Sequence, residues 1–349
     1  MAITELLGID VFPVPSQAQA TLARAADGVE LRAARWRPTA RKGPKGTVLV
    51  VNGRAEFIER YSEVIMELRR RGFHVATFDW RGQGGSDRLL RNPRKGHVRR
   101  FADYRLDLEA VFSQVMPKLP KPWFALAHSM GASLCLEAAR RNELPVSRLV
   151  ALAPMLELSI IRNVAAARAA ALALDALFLG SIFVPAGGET SIATRPFAGN
   201  RLTSDPERYA RNAELASRRP DLAIGDPTIR WVREAFRFME RMADPMTSLD
   251  IRLPTLVIAA GADPVVSTPA IERFAARLKT GLALVLPGAR HEILQETDAI
   301  REKFWAAFDA FVPGEEGRAA APGSGLQEGE RGFMHAPVAG GDDPAAGRG

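Results

Sequence analysis

The stretch W-F-A-L-A-H-S-M-G-A, residues 123–132, decides the fold. Its first half is a short apolar run of strand composition, and its second half opens a helix near Met130. Ser129 stands at the junction. A serine there occupies a sharp strand-to-helix turn that lifts its hydroxyl to the edge of a sheet. The small residues two positions away on each side, Ala127 and Gly131, let strand and helix approach each other. Ala127 stands where the G-x-S-x-G pattern has glycine, and its single methyl group leaves that packing intact. The helix start also aims the Met130 amide at the place where an oxyanion would form. Because serine is also a common helix cap, its assignment as a nucleophile requires a base and an acid elsewhere in the chain.

Working outward, short apolar runs rich in β-branched residues alternate with longer amphipathic stretches. Candidate strands are 30–36, 47–51, 74–78, 123–127, 148–152, 255–259 and 282–286. Such alternation predicts an α/β architecture with a mostly parallel central sheet flanked by helices. It fails between Pro154 and Asp250, where Ala-rich and Arg-rich helical segments read as an inserted helical cap. The expected organisation is therefore an N-terminal extension at 1–29, a core at 30–154 and 250–312, a cap or lid at 155–249, and a tail at 314–349. That tail is Gly-, Pro- and Ala-rich with few large apolar side chains, a composition that predicts disorder.

A serine needs a base to take its proton. Of the five histidines, His335 lies in the tail and His74 begins a buried strand. His128 adjoins the nucleophile on the strand, where alternation points its side chain away from the site. His291, in G-A-R-H-E after the strand at 282–286, sits on a loop able to reach the sheet edge, with His97 as the competing base. The acid that orients the imidazole should precede it by one strand and one helix. Asp263 does so, closing T-L-V-I-A-A-G-A-D-P-V-V, although an aspartate before proline is also a common turn residue. Asp244 and Asp250 fall before that strand, which disfavours both. The order Ser, Asp, His is that of α/β-hydrolases. A second oxyanion donor is expected from the loop in V-L-V-V-N-G-R-A-E, residues 48–56; the Arg54 amide is the candidate, with Gly53 allowing the turn. The Arg54 side chain reads as solvated, with an anionic head group as its other possible partner.

The whole chain excludes several other classes. Its 349 residues are 47% hydrophobic and 25% charged, enough apolar content for a folded core. The net charge of +7 comes from dispersed basic residues with no nucleic-acid motif beside them, so no nucleic-acid partner is expected. One cysteine, Cys135, precludes an intrachain disulfide or thiolate cluster and fits a reducing compartment. The first thirty residues do not read as a secretion signal, so none is expected. The most apolar stretch, 164–185, is interrupted by Arg168 and Asp175 and reads as an amphipathic helix. These features together point to the cytoplasm, with peripheral contact at the inner face of the membrane as a further expectation.

Three segments carry a family likeness. N-G-R-A-E-F-I-E-R-Y at 52–61 is similar to the H-G-x-x-E-H-x-x-R-Y oxyanion segment of α/β-hydrolases, with Asn52 and Phe57 in place of the two histidines. D-W-R-G-Q-G-G-S-D at 79–87 resembles the D-x-R-G-H-G-x-S turn, and A-H-S-M-G resembles the nucleophile elbow. The run at 88–104 and A-P-M at 153–155 look like the branch of bacterial lysophospholipases and monoacylglycerol lipases. This resemblance implies the α/β-hydrolase fold and a carboxylic-ester hydrolase acting on lysophospholipids or monoacylglycerols without metal or organic cofactor. The alternatives are an esterase for a small non-lipid substrate and a non-catalytic membrane-surface binding protein. Dehalogenase or epoxide-hydrolase chemistry would want an aspartate in place of Ser129. The cap segment 160–185 has the apolar spacing to line an acyl tunnel or to touch a membrane, and equally to form ordinary core.

Overall fold

A run such as T-V-L-V-V is stable only where both of its faces are covered, which a sheet sandwiched between helix layers provides. The computed structural model describes residues 2, 4–10, 12–40 and 44–312; the expected tail at 314–349 lies outside them. Eight strands form one sheet: β1 (Gln19–Arg24), β2 (Glu30–Trp36), β3 (Thr47–Val51), β4 (His74–Phe78), β5 (Trp123–His128), β6 (Arg148–Leu152), β7 (Thr255–Ala260) and β8 (Gly281–Leu286). Their spatial order is β1-β2-β4-β3-β5-β6-β7-β8. β1 and β2 run antiparallel at one edge, and β3 to β8 pair in parallel.

The helices are α1 (Ser62–Arg70), α2 (Tyr104–Gln114), α3 (Ser129–Arg140), α4 (Val164–Ala176), α5 (Pro206–Arg218), α6 (Ile229–Met242), α7 (Pro245–Leu249), α8 (Thr268–Ala275) and α9 (Asp298–Phe311). α1 and α9 lie together, with Arg71 stacked over Trp305 at 4.0 Å and bonded to Asp309 at 2.9 Å. α2, α3, α7 and α8 touch in series and form the other layer. The seven expected strands are present within one residue at each end. β1 is an addition inside the stretch read as an extension. Its sequence Q-A-T-L-A-R buries only Ala23, so it carries no apolar alternation, and its place depends on the ladder from Gln19↔Arg35 to Arg24↔Glu30.

Between β6 and β7 the chain builds a helical cap from α4, α5 and α6. Asp175 of α4 accepts from Arg230 at 2.7 Å and Arg233 at 2.6 Å, joining α4 to α6. α5 is held to the core instead: Arg208 donates to Glu63 of α1 at 2.7 Å and Asp298 of α9 at 2.6 Å. Phe57 is buried in a cluster with Ile9, Phe12, Leu215 and Leu222, beneath this half of the cap. Its exchange for the family's histidine thus serves packing.

The turn at 79–87 depends on one carboxylate. Asp79 accepts from the amides of Ile58 (3.0 Å) and Gly85 (2.8 Å), and from Arg32 of β2 at 2.7 Å. Arg32 also holds Glu59 through two bonds, at 2.7 and 2.8 Å, and is fully buried. Replacing Arg32 by Met would strand two buried carboxylates. A loss of about 3–5 kcal/mol in unfolding free energy is expected from a urea titration. An unchanged transition would show that the trio does not carry the turn.

Candidate active site

Ser129 takes a left-handed backbone, with φ 51°, directly after the extended His128. That conformation is costly for a serine and persists only where its surroundings enforce it. The enforcement is visible at Gly131, where any Cβ would collide with the Asn52 carbonyl oxygen at the end of β3. The Ser129 hydroxyl meets His291 Nε2 at 2.9 Å, and His291 Nδ1 meets Asp263 Oδ2 at 2.8 Å. Asp263 follows β7, His291 follows β8 and Ser129 follows β5, so the sheet brings all three together at the carboxyl ends of its strands. The other Asp263 oxygen accepts from the amides of Val265 (2.8 Å) and Val266 (3.0 Å). Burial works to raise the Asp263 pKa, yet His291 and these amides outweigh it and hold the carboxyl below its usual range. The competing base, His97, bonds Thr228 at 2.9 Å, and burial pushes its pKa down to about 4.

The loop between β3 and α1 consumes its own polar groups in a telling order. The Gly53 amide donates to the Glu56 carboxylate, and the Ala55 amide to Gln83 Oε1 at 3.2 Å. Gln83 Nε2 in turn donates to the carbonyls of Gly53 (2.8 Å) and Glu56 (3.0 Å). Between two committed amides lies that of Arg54, the position expected to supply the second oxyanion donor. Met130, the other expected donor, is in the first turn of α3, where backbone amides have no intrahelical acceptor. The Arg54 side chain is not solvated as expected: its Nη2 donates to Gly225 O at 2.7 Å and its guanidinium lies 5.2 Å from the Trp231 ring, bridging core and cap.

A family model described as serine aminopeptidase S33 matches residues 42–298. The chain belongs to this family of α/β-hydrolases. It is 35% identical to lysophospholipase L2 of Escherichia coli K12 over 267 residues, 73% of this chain and 76% of that protein. It is 28% identical to phospholipase YtpA of Bacillus subtilis over 272 residues, 77% of this chain and 95% of that one. In fold it is similar to a soluble variant of monoglyceride lipase from Saccharomyces cerevisiae, with TM-score 0.67, 19% identity, and coverage of 85% and 96% of the two chains. The α/β-hydrolase likeness expected from the three motifs is thereby borne out.

On this family scaffold the cap closes a cavity of about 500 Å³ over Ser129 and His291. Its walls are mostly apolar, with Ala167, Ala171 and Leu174 from α4 and Ile229, Val232 and Ala235 from α6. Neither Asn52 nor Phe57 is among its lining residues.

His128 is the residue that strand alternation led away from. Its side chain does leave Ser129, but it turns to the back of the site, with its ring 4.9 Å from that of His291. Its Nδ1 meets Glu56 at 2.7 Å and its Nε2 meets the His291 carbonyl at 3.0 Å. Burial works to lower the His128 pKa, but Glu56 and the carbonyl outweigh it and push it up to about 9. Both ring nitrogens then donate, and the loop carrying His291 is pinned by a buried cation. Glu56, which also accepts from Tyr61 at 2.6 Å, is held below the usual carboxylate range against the opposing effect of burial. Because the folded pKa of His128 lies above the unfolded value, its contribution is complete below about pH 6.5 and fades as pH rises through about 9. His128→Gln should lose about 3 kcal/mol at pH 6 and flatten the alkaline decline of the unfolding midpoint. A wild-type-like slope in the variant would contradict this.

Proposed function

We propose that this chain is a serine hydrolase that cleaves the carboxylic ester of a single-chain lipid, a lysophospholipid or a monoacylglycerol. The observation that carries the reading is the hydrogen-bonded series Ser129, His291, Asp263 at the wall of an apolar cavity. His291 takes the proton of Ser129 as its oxygen attacks the ester carbonyl, and Asp263 stabilises the imidazolium. The amides of Met130 and Arg54 receive the oxyanion, each contributing on the order of 3 kcal/mol in the transition state. Collapse expels the head-group alcohol, which takes the proton from His291, and leaves an acyl ester on Ser129. Water, deprotonated by the same imidazole, attacks that ester and releases the fatty acid, returning the proton to Ser129.

The relatives named as lysophospholipase and phospholipase support a lipid substrate, and so does the apolar lining. Aminopeptidase activity, also named in the family, would want a free carboxylate to receive a terminal ammonium. The carboxylates at the cavity are instead engaged: Glu56 by His128, Glu292 by Arg60 at 2.7 Å, and Asp226 by Arg195 at 3.1 Å. Ser129→Ala should abolish labelling by a fluorophosphonate and lower ester turnover by a factor on the order of 10⁴ or more. Labelling that persists in the variant would move the nucleophile elsewhere.

We also propose that the cap rests on a lipid surface at the cytoplasmic face. One side of α4 lines the cavity, and the other, which also carries Arg168, exposes with the turn after it Leu172, Leu177 (67%), Phe178 (94%) and Ile182. Among the described residues no helix is long and apolar enough to cross a membrane. Leu177→Asp combined with Phe178→Asp should weaken binding to phospholipid vesicles at least tenfold, on the order of one buried apolar side chain. Turnover of a monomeric short-chain ester should stay unchanged. Unaltered vesicle binding would place the contact elsewhere.

A further inference from the structure

Beside the cavity over Ser129 lies a second chamber of about 320 Å³, and the two share Ile160, Ile192, Arg195, Arg201 and Leu202 in their walls. The acyl-sized space is walled by α4 and α6, whereas the second chamber is walled by the loop at 195–202, two arginines on it and no carboxylate. At the larger cavity the cations Arg54, Arg195 and Arg201 face Asp226, while Glu56 and Glu292 are neutralised by His128 and Arg60. The excess charge at the junction of the chambers is positive.

That loop is fixed beside the reacting atoms. The Leu202 carbonyl accepts from the amide of Glu292, next to His291, at 2.7 Å. Asn200 Oδ1 accepts from the amides of Leu202 (2.9 Å) and Thr203 (3.1 Å), and Arg290 donates to the Thr203 carbonyl at 3.1 Å. Tyr209 holds the Arg195 carbonyl at 2.8 Å. The guanidinium groups themselves retain donors. Among the described residues, Arg195 engages Asp226 through Nη2 alone and the exposed Arg201 meets no acceptor. Two planar, permanently charged forks on a rigid loop suit a phosphate diester, which offers paired anionic oxygens.

We propose that Arg195 and Arg201 form a head-group subsite that takes the phosphodiester of a lysophospholipid while its ester carbonyl lies at Ser129. The proposal rests on the ester-hydrolase reading above and selects within it: a monoacylglycerol head presents only hydroxyl groups and gains nothing from the pair.

The test compares the full chain on lysophosphatidylcholine and on the monoacylglycerol of the same short acyl chain, both below micellar concentration so that attraction to an interface does not enter. Arg195→Ala with Arg201→Ala should lose at least about tenfold in kcat/KM on lysophosphatidylcholine, mainly through KM. Monoacylglycerol turnover should remain within about twofold of wild type, and the double lysine variant should recover part of the loss. Because Arg195 also pairs with Asp226, Arg201→Ala alone serves as the milder variant, with the same sign of effect. Equal losses on both substrates, or none, would overturn the subsite. A wild type that hydrolyses monoacylglycerol and not lysophosphatidylcholine overturns the subsite and leaves the esterase reading standing. Hydrolysis of neither overturns the esterase reading itself.

Discussion

The left-handed turn at Ser129 is the constraint on which the rest of the molecule depends. It is stable because Gly131 lies against the Asn52 carbonyl, so that the end of β3 and the start of α3 behave as one body. The same carbonyl accepts from Trp80 Nε1 at 2.8 Å, which extends the body into the turn at 79–87. Through Asp79 that turn is fastened to Arg32 and Glu59. Ser129, the loop after β3 and the buried ion trio are therefore linked by direct contacts into one mechanical unit.

Two histidine–carboxylate pairs lie back to back at the strand ends, and their difference is instructive. Each imidazole bonds a buried carboxylate through Nδ1, at 2.8 Å for His291 with Asp263 and 2.7 Å for His128 with Glu56. The distinction lies at Nε2. That of His128 faces a carbonyl, which can only accept, so the ring is locked as a double donor and acts as a fixed cation. That of His291 faces a hydroxyl, which both donates and accepts, so a proton can pass. On the proposed mechanism, proton transfer belongs to His291 and position-holding to His128, although their carboxylates are alike.

Much of this was legible in the chain where the signal is local. Strands buried on both faces are written in β-branched residues, and the order of Ser129, Asp263 and His291 follows from which strand each one ends. β1 was not legible, because an edge strand with one buried alanine depends on its neighbour and not on its own pattern. Nor was the partnership of His128 with Glu56, since strand alternation tells which way a side chain leaves and not what a loop 72 residues away brings to meet it. The solvated reading of the Arg54 side chain failed for the same reason: the acceptor of its guanidinium is Gly225, supplied by the cap. The helical composition of the cap was recognisable, but in α4 only Arg168 and Asp175 interrupt the apolar residues, which gives little clue to which side lines a cavity.

The division of the cap has a physical origin in how its halves are fastened. Glu63 of α1 receives Arg208 and Arg211 from α5 and Arg301 from α9, at 2.7, 2.9 and 3.0 Å. Burial alone would raise the pKa of that carboxyl, yet the three arginines bring it down to about 2. A network of this kind tolerates little displacement, because moving any member leaves a charge in a medium that solvates it poorly. It fixes α5 and, through Tyr209, the loop bearing Arg195. α4, by contrast, meets the cavity through methyl and methylene groups, whose contacts are non-directional and can be exchanged with little penalty. On the proposed reading, the ionic anchorage of α5 lies beside the loop that meets a charged head group, and the apolar wall of α4, itself tied to α6 through Asp175, lies along the acyl chain.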